Sequence, residues 1–141
     1  MSRIIVDTGP LVAYVQEDEQ HSDWTRETFD RLEPPFLTCE PVLTEACFLI
    51  ERGGGNPDDL LDLIERGLIQ IRIEIGEEIT RLRALMRRYR DLPMSLADAC
   101  LVRLAERVDS CRVVTFDGHF RIYRRHQRRP IPVLMPTESW G

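Results

Sequence analysis

Residues 3–11 read RIIVDTGPL. Ile4, Ile5 and Val6 run without polar alternation into Asp7, and Pro10 follows three positions later. An unbroken apolar run is the pattern of a strand buried on both faces, as in a parallel sheet. Proline suits the first turn of a helix. The stretch therefore reads as strand, acid, helix. The same letters, Asp-Thr-Gly, also form the catalytic triplet of aspartic proteases. That alternative fails on context: a single-triplet protease is a small all-β homodimer that needs hairpins and a flap around its triplet. Here a helix signal comes at once, and most of the remaining chain has helical periodicity.

Working outward, short apolar runs alternate with amphipathic stretches, the signature of a parallel α/β sheet. Strands are expected at residues 3–6, 36–39, 68–73 and 112–115, with an edge strand at 131–134. Helices are expected at 10–16, 20–32, 41–53, 56–67, 77–90 and 95–109. The boundaries come from Pro34-Pro35, the Gly53-Gly54-Gly55 break, the start signal Asn56-Pro57-Asp58-Asp59 and the capping residue Ser95. No repeat or linker divides the 141 residues, a length typical of one domain.

With 43% hydrophobic and 30% charged residues, the composition is that of a soluble globular chain. No apolar run approaches the ~20 residues of a membrane span, and the run before Asp7 is too short for a signal-peptide core. Cys39, Cys47, Cys100 and Cys111 form no C-x-x-C pair and read as buried free thiols of a cytosolic protein. All 19 basic residues are Arg, which excludes a Walker A lysine, a Schiff-base lysine and the phosphate-binding lysine of haloacid-dehalogenase-type phosphatases. Residues 1–80 carry 6 Arg against 18 acids, net −12, and residues 81–141 carry 13 Arg against 6 acids, net +7. This asymmetry suits an anionic ligand near the C-terminal half, or packing of the two halves against each other.

Four acids stand in apolar surroundings. Asp7 ends a strand, and Glu45 has Val42, Phe48 and Leu49 as helical neighbours. Asp98 precedes Leu101 and Val102 by one turn, and Asp117 follows the run VVTF. A buried carboxylate without a partner is costly. Taken singly, each aspartate has an ordinary explanation: Asp7 as a helix cap, Asp98 in a capping box with Ser95, Asp117 with Gly118 as a turn. Glu45 has none beyond an ion pair with an Arg. Taken together they fit one crevice at the carboxyl edge of a parallel sheet, where ligands bind at the reversal of strand order. Clustered carboxylates repel unless a cation neutralises them, and hard ions such as Mg²⁺ or Mn²⁺ suit an all-oxygen set. Such an ion activates water toward a phosphodiester.

The segments IIVDTGPLVAYV, PVLTEACFLI, PMSLADACLVRLAE and VVTFDGHFRIYR resemble, in this order, the four acidic motifs of the PIN-domain family. The resemblance spans nearly the whole chain. It implies a three-layer α/β/α sandwich with a central, mostly parallel sheet, and a single PIN-like nuclease domain over residues 1–141. The implied activity is Mg²⁺- or Mn²⁺-dependent endoribonuclease hydrolysis of RNA. Many small members are VapC-like toxins of type II toxin–antitoxin pairs, so a cytoplasmic homodimer with a small antitoxin partner is implied too. By motif, Asp7, Glu45, Asp98 and Asp117 would be the metal-binding, catalytic acids, and Thr8 and Thr115 hydroxyls supporting them. Ser95 departs from the family pattern, since close relatives often carry a further Asp there. A catalytically degenerate RNA-binding or protein-interaction module is the alternative.

Among the remaining residues, His119 beside Asp117 reads as a loop-surface histidine, and His21, Trp24 and Phe29 as packing residues. The run RIYRRHQRR places Arg121, Arg124, Arg125, Arg128 and Arg129 around Tyr123. Basic residues interleaved with an aromatic suit an RNA backbone and its bases, or alternatively an acidic partner tail.

Overall fold

The computed structural model describes residues 2–17 and 20–137. Strand β1 (Arg3–Val6) leads into α1 (Thr8–Val15), followed by α2 (Ser22–Asp30), β2 (Phe36–Thr38), α3 (Glu40–Arg52), α4 (Asp58–Glu65) and β3 (Ile69–Ile71). Helices α5 (Ile75–Arg88) and α6 (Leu96–Arg107) precede β4 (Cys111–Val114). A 3-10 turn (Gly118–Arg121), the strands β5 (Arg124–Arg125) and β6 (Arg129–Pro130), and β7 (Val133–Leu134) complete the described chain.

The central sheet has the order β3-β2-β1-β4-β7, and every neighbouring pair is parallel. Helices flank it in the expected three-layer α/β/α arrangement. Both faces of the sheet are covered, as the unbroken apolar runs require: Ile5, Val6, Leu37, Val113 and Val114 are fully buried. From β1 the chain builds outward through β2 to β3, then crosses back to β4 and β7 on the other side. Strand order therefore reverses between β1 and β4, where Val6 lies opposite Val114. That reversal point is the natural ligand crevice of an open α/β sheet.

Most boundaries shift by a few residues, and three differences from the sequence reading have an identifiable reason. Helix α1 starts at Thr8 because Asp7, in extended backbone, caps it. Strand β3 ends at Ile71, and Ile73 takes φ 76°, a left-handed conformation that a β-branched residue rarely adopts. The third is the β5–β6 hairpin, antiparallel and separate from the main sheet. It falls inside the arginine-rich run, which has no alternating pattern to announce it.

The hairpin is held by buried charge. Glu106, its side chain 1% exposed, accepts hydrogen bonds from Arg81 Nε (3.0 Å) and Nη2 (2.7 Å) and from Arg103 Nη1 (3.3 Å). It also accepts the His126 backbone N–H at 2.8 Å. One carboxylate thus joins α5, α6 and the hairpin. Burial is the largest single influence and opposes its charge, but the hydrogen bonds from Arg81, the His126 N–H and Arg103, with the Arg81 charge, together outweigh it and hold its carboxyl below the usual value. A depressed folded pKa gives stability that is present above the unfolded value of 4.5 and lost as pH falls below it. Glu106→Gln is therefore expected to cost about 3 kcal/mol at pH 7 in urea denaturation, with the deficit shrinking below pH 4.5. An equal deficit at both pH values would show that shape, not charge, is what Glu106 supplies.

Candidate functional site

The triplet that opens the chain contributes through all three residues. Asp7 leaves the end of β1, its N–H donating to the Val114 carbonyl at 3.0 Å. Its Oδ1 accepts the Thr8 N–H at 2.7 Å and its Oδ2 the Thr115 hydroxyl at 2.7 Å. Thr8 turns its own hydroxyl to Glu45 Oε1 of α3, at 2.9 Å. Gly9 has no Cβ because one would stand 2.7 Å from the Phe116 ring.

Thr115, fully buried at the end of β4, links two acids. Its Oγ donates to Asp7 and accepts the Asp117 N–H at 2.9 Å. Asp117 in turn caps the 3-10 turn by accepting the His119 N–H at 2.9 Å. Asp98, in the first turn of α6, forms the expected capping box with Ser95, with bonds of 3.0 and 3.3 Å. The ordinary roles considered for the three aspartates are thus all occupied. They coexist with convergence: Asp7, Glu45, Asp98 and Asp117 line one cleft of about 390 Å³, together with Thr8, Gly9, Leu49, Ser95 and Phe116.

Among the described residues, no arginine or histidine lines this cleft. Burial pushes the Asp7 carboxyl up to about 6, against the Thr115 and Thr8 hydrogen bonds, and the charges of Asp98 and Asp117 add to the rise. The Asp98 carboxyl is also raised, chiefly by burial. The donor set is all oxygen and negatively charged, which fits a hard divalent cation in chemistry and charge. Among the described residues no three acidic, histidine or cysteine side chains stand, as placed, close enough together to hold a metal ion. The carboxylates are instead held apart on hydroxyls and backbone N–H groups.

Glu45 differs from its sequence reading. The apolar neighbours suggested a buried acid, yet Glu45 is exposed and Phe48 is 60% exposed. Of its apolar neighbours, Val42 is in the core and Leu49 lines the cleft, while Phe48 lines an open groove with Pro41, Ile75 and Leu96 that Glu45 also borders. Tyr123 differs as well. It is fully buried against Tyr89 and Phe120, with centroids at 5.0 and 5.2 Å, so it offers no face for a base to stack on. Its hydroxyl donates to Asp98 Oδ2 at 3.1 Å, and burial keeps that proton on the phenol by pushing its pKa up. No spacing signal in the sequence marks this contact, which depends on how the 3-10 turn docks against α6.

The five arginines divide. Arg124 Nη1 donates to the carbonyls of Arg121, Ile122 and Tyr123, and Arg125 Nη2 to those of Val108 and Asp109 at the end of α6. Arg121, Arg128 and Arg129 are exposed. His119 is half-buried beside Asp117, with Nδ1 at 3.4 Å from Oδ1. His21 and Trp24 pack on Phe116, with centroids at 4.9 and 6.1 Å, while Phe29 is buried between Tyr14 and Phe36. The described cysteines are free thiols.

A strand-order reversal flanked by acids on β1 and β4, with two more supplied by helices, defines a class, and the family comparison agrees. The PIN domain profile matches residues 4–125, and the chain belongs to the PIN-domain family. Its fold is similar to that of Mycobacterium tuberculosis VapC20, described as a sarcin-ricin loop cleaving toxin. The TM-score is 0.78 at 18% identity, over 90% of this chain and 99% of that one. No curated protein matches the sequence.

The raised Asp7 carboxyl gives a stability test. Its folded pKa of about 6 lies above the unfolded 3.8, so its contribution is full below pH 3.8 and lost as pH rises through 6. In chelator, Asp7→Asn should leave stability near wild type at pH 4 and raise it by about 2 kcal/mol at pH 8, read from urea midpoints. A variant less stable than wild type at pH 8 would show that hydrogen bonding to the carboxylate outweighs its burial.

Proposed function

We propose that this protein is a metal-dependent endoribonuclease that hydrolyses RNA phosphodiester bonds, and that it acts as the toxin of a type II toxin–antitoxin pair. The observation that carries the reading is the convergence of four carboxylates, from four separate segments, on one cleft whose lining, among the described residues, contains no arginine. Asp7, Asp98 and Asp117, with Glu45 at the exposed side, would hold Mg²⁺ or Mn²⁺. Such an ion acidifies a water and neutralises charge on the phosphate. The protein's own part is to hold the acids in place. Thr115 and Thr8 fix Asp7, and the Ser95 N–H and the Tyr123 hydroxyl both donate to Asp98 Oδ2. The exposed Arg121, Arg128 and Arg129 are suited to RNA phosphates, whereas Arg124 and Arg125 serve the hairpin by binding carbonyls.

The family membership and the VapC20-like fold support a ribonuclease, and VapC20 supports an RNA target and a toxin role by analogy. The exposed apolar groove beside Glu45 supports a protein partner, as an antitoxin or a second subunit requires. The described residues contain no helix long and apolar enough to cross a membrane, which accords with the proposed cytoplasmic site of action.

Asp98→Asn separates this reading from a degenerate binding module. Asn caps helices about as well as Asp, so the fold and capping box should survive, as judged by circular dichroism and thermal melting. RNA cleavage in Mg²⁺ or Mn²⁺ should fall by about 100-fold or more at equal protein concentration, and growth inhibition should be relieved. Near-wild-type cleavage by the folded variant would remove Asp98 from the site. Absence of cleavage by the wild type in either metal would favour the degenerate module.

A further inference from the structure

The acid cleft has an apolar side. Six of its nine lining residues are acids or hydroxyl carriers, and the other three are Gly9, Leu49 and Phe116. Phe116 supplies an aromatic ring whose place is fixed from several directions. Its backbone stands between Thr115, whose N–H donates to the Leu134 carbonyl at 3.2 Å, and Asp117, whose N–H donates to Thr115 Oγ at 2.9 Å. Its ring presses on Gly9, where an added Cβ would stand 2.7 Å from Cδ2. His21 and Trp24, at the start of α2, brace it with ring centroids at 4.9 and 6.1 Å. Their planes are inclined to it by 54° and 65°, so neither ring lies flat over it. Nearby, Phe120 and Tyr123 vanish into the core. Phe116 is only half-buried, and it keeps surface in the cleft.

The chemistry around this ring selects what meets it. An apolar protein side chain inserted here would desolvate the surrounding carboxylates and give them no partner. A nucleotide matches both sides of the cleft: its phosphate suits a cation held by the acids, and its base has a flat π face for the ring. In the nucleotide these two parts are joined by one sugar. In the cleft the acids and the ring are joined by the chain itself, since Phe116 directly precedes Asp117 and its ring abuts Gly9, two residues after Asp7. Base stacking on an aromatic side chain tolerates every base, and it gains from a ring that is already held still.

We propose that Phe116, braced by His21 and Trp24, is a nucleobase subsite on which the base next to the scissile phosphate stacks. The proposal rests on RNA being the substrate of the carboxylate cleft. It gives the cleft a hold on the base that salt does not weaken, beside phosphate contacts that salt does weaken.

The test measures binding of two ten-unit chains, oligoadenylate and the same ribose–phosphate backbone without bases, in Ca²⁺ as the oxygen-seeking ion. Each chain is checked for length after the titration, so that cleavage does not enter. Wild type is expected to prefer oligoadenylate by about 10-fold or more. Phe116→Leu keeps an apolar side chain against His21 and Trp24 but removes the ring. It is expected to bind oligoadenylate about 10-fold more weakly than wild type does, and the abasic chain equally well. The slope of log affinity against log salt stays at the wild-type value, because no phosphate contact is lost. Phe116→Tyr restores oligoadenylate binding. An equal loss on both chains overturns the proposal, because the ring then only holds the cleft together. Wild-type oligoadenylate affinity in Phe116→Leu also overturns it and leaves the ring to a protein partner. A wild type with no preference between the chains overturns it whatever the variants do. Failure of the ribonuclease reading is seen separately, as a wild type that prefers oligoadenylate yet cuts no RNA in Mg²⁺ or Mn²⁺.

Discussion

The structure turns on the burial of one carboxylate. Asp7 sits where strand order reverses, with its backbone locked to β4 and both side-chain oxygens occupied. A charge at the end of a fully buried strand is tolerated only when it is hydrogen-bonded, and the two threonines that satisfy it arrange everything nearby. Thr115 passes the connection to Asp117, and Thr8 passes it to Glu45. The bonds that make Asp7 tolerable are the ones that set three acids around a cleft. Its carboxyl remains raised to about 6, so the hydrogen bonds only partly offset burial and like charge. A bound cation would remove that remaining cost, which is why the energetics of the site and its chemistry point the same way.

Asp98 reaches the cleft by a different route. Its position depends on α6, which is fixed to α5 by paired arginines and glutamates and to the hairpin through Glu106. Tyr123 then brings a single hydroxyl from beyond the 3-10 turn onto Oδ2. Two stabilising systems therefore meet in the site: a neutral hydroxyl network on the β1–β4 side and a charged one behind α6. The C-terminal excess of arginine has a matching division of labour, with inward arginines neutralised by glutamate or bound to carbonyls and outward ones left free.

Much of this was legible in the chain. The apolar runs at β1, β2 and β4 are unmistakable because a strand buried on both faces has no polar alternation to confuse it with a helix surface. The acids at Asp7, Asp98 and Asp117 stood out against those runs. Glu45 stood out for a misleading reason. An apolar helix stripe looks the same whether it packs into a core or lines an exposed groove, and Phe48 does the latter. The β5–β6 hairpin was invisible, since its strands are held by Glu106 and Arg88 from distant elements, and by Arg125 reaching out to the Val108 carbonyl, and not by local pattern. Tyr123 was misread for the same reason. Only the tertiary fold decides whether an aromatic among arginines faces solvent or turns inward to an acid.

The central claim, that the four carboxylates share a cation, is tested most directly by thermal melting of wild type and Asp7→Asn during a Mn²⁺ titration at pH 7.5. A shared site predicts a wild-type melting temperature that climbs by several degrees between chelator and millimolar Mn²⁺. It predicts a flat response in Asp7→Asn, which has already lost the charge the ion would compensate. A wild-type curve that does not move, or a variant that rises equally, would contradict the claim.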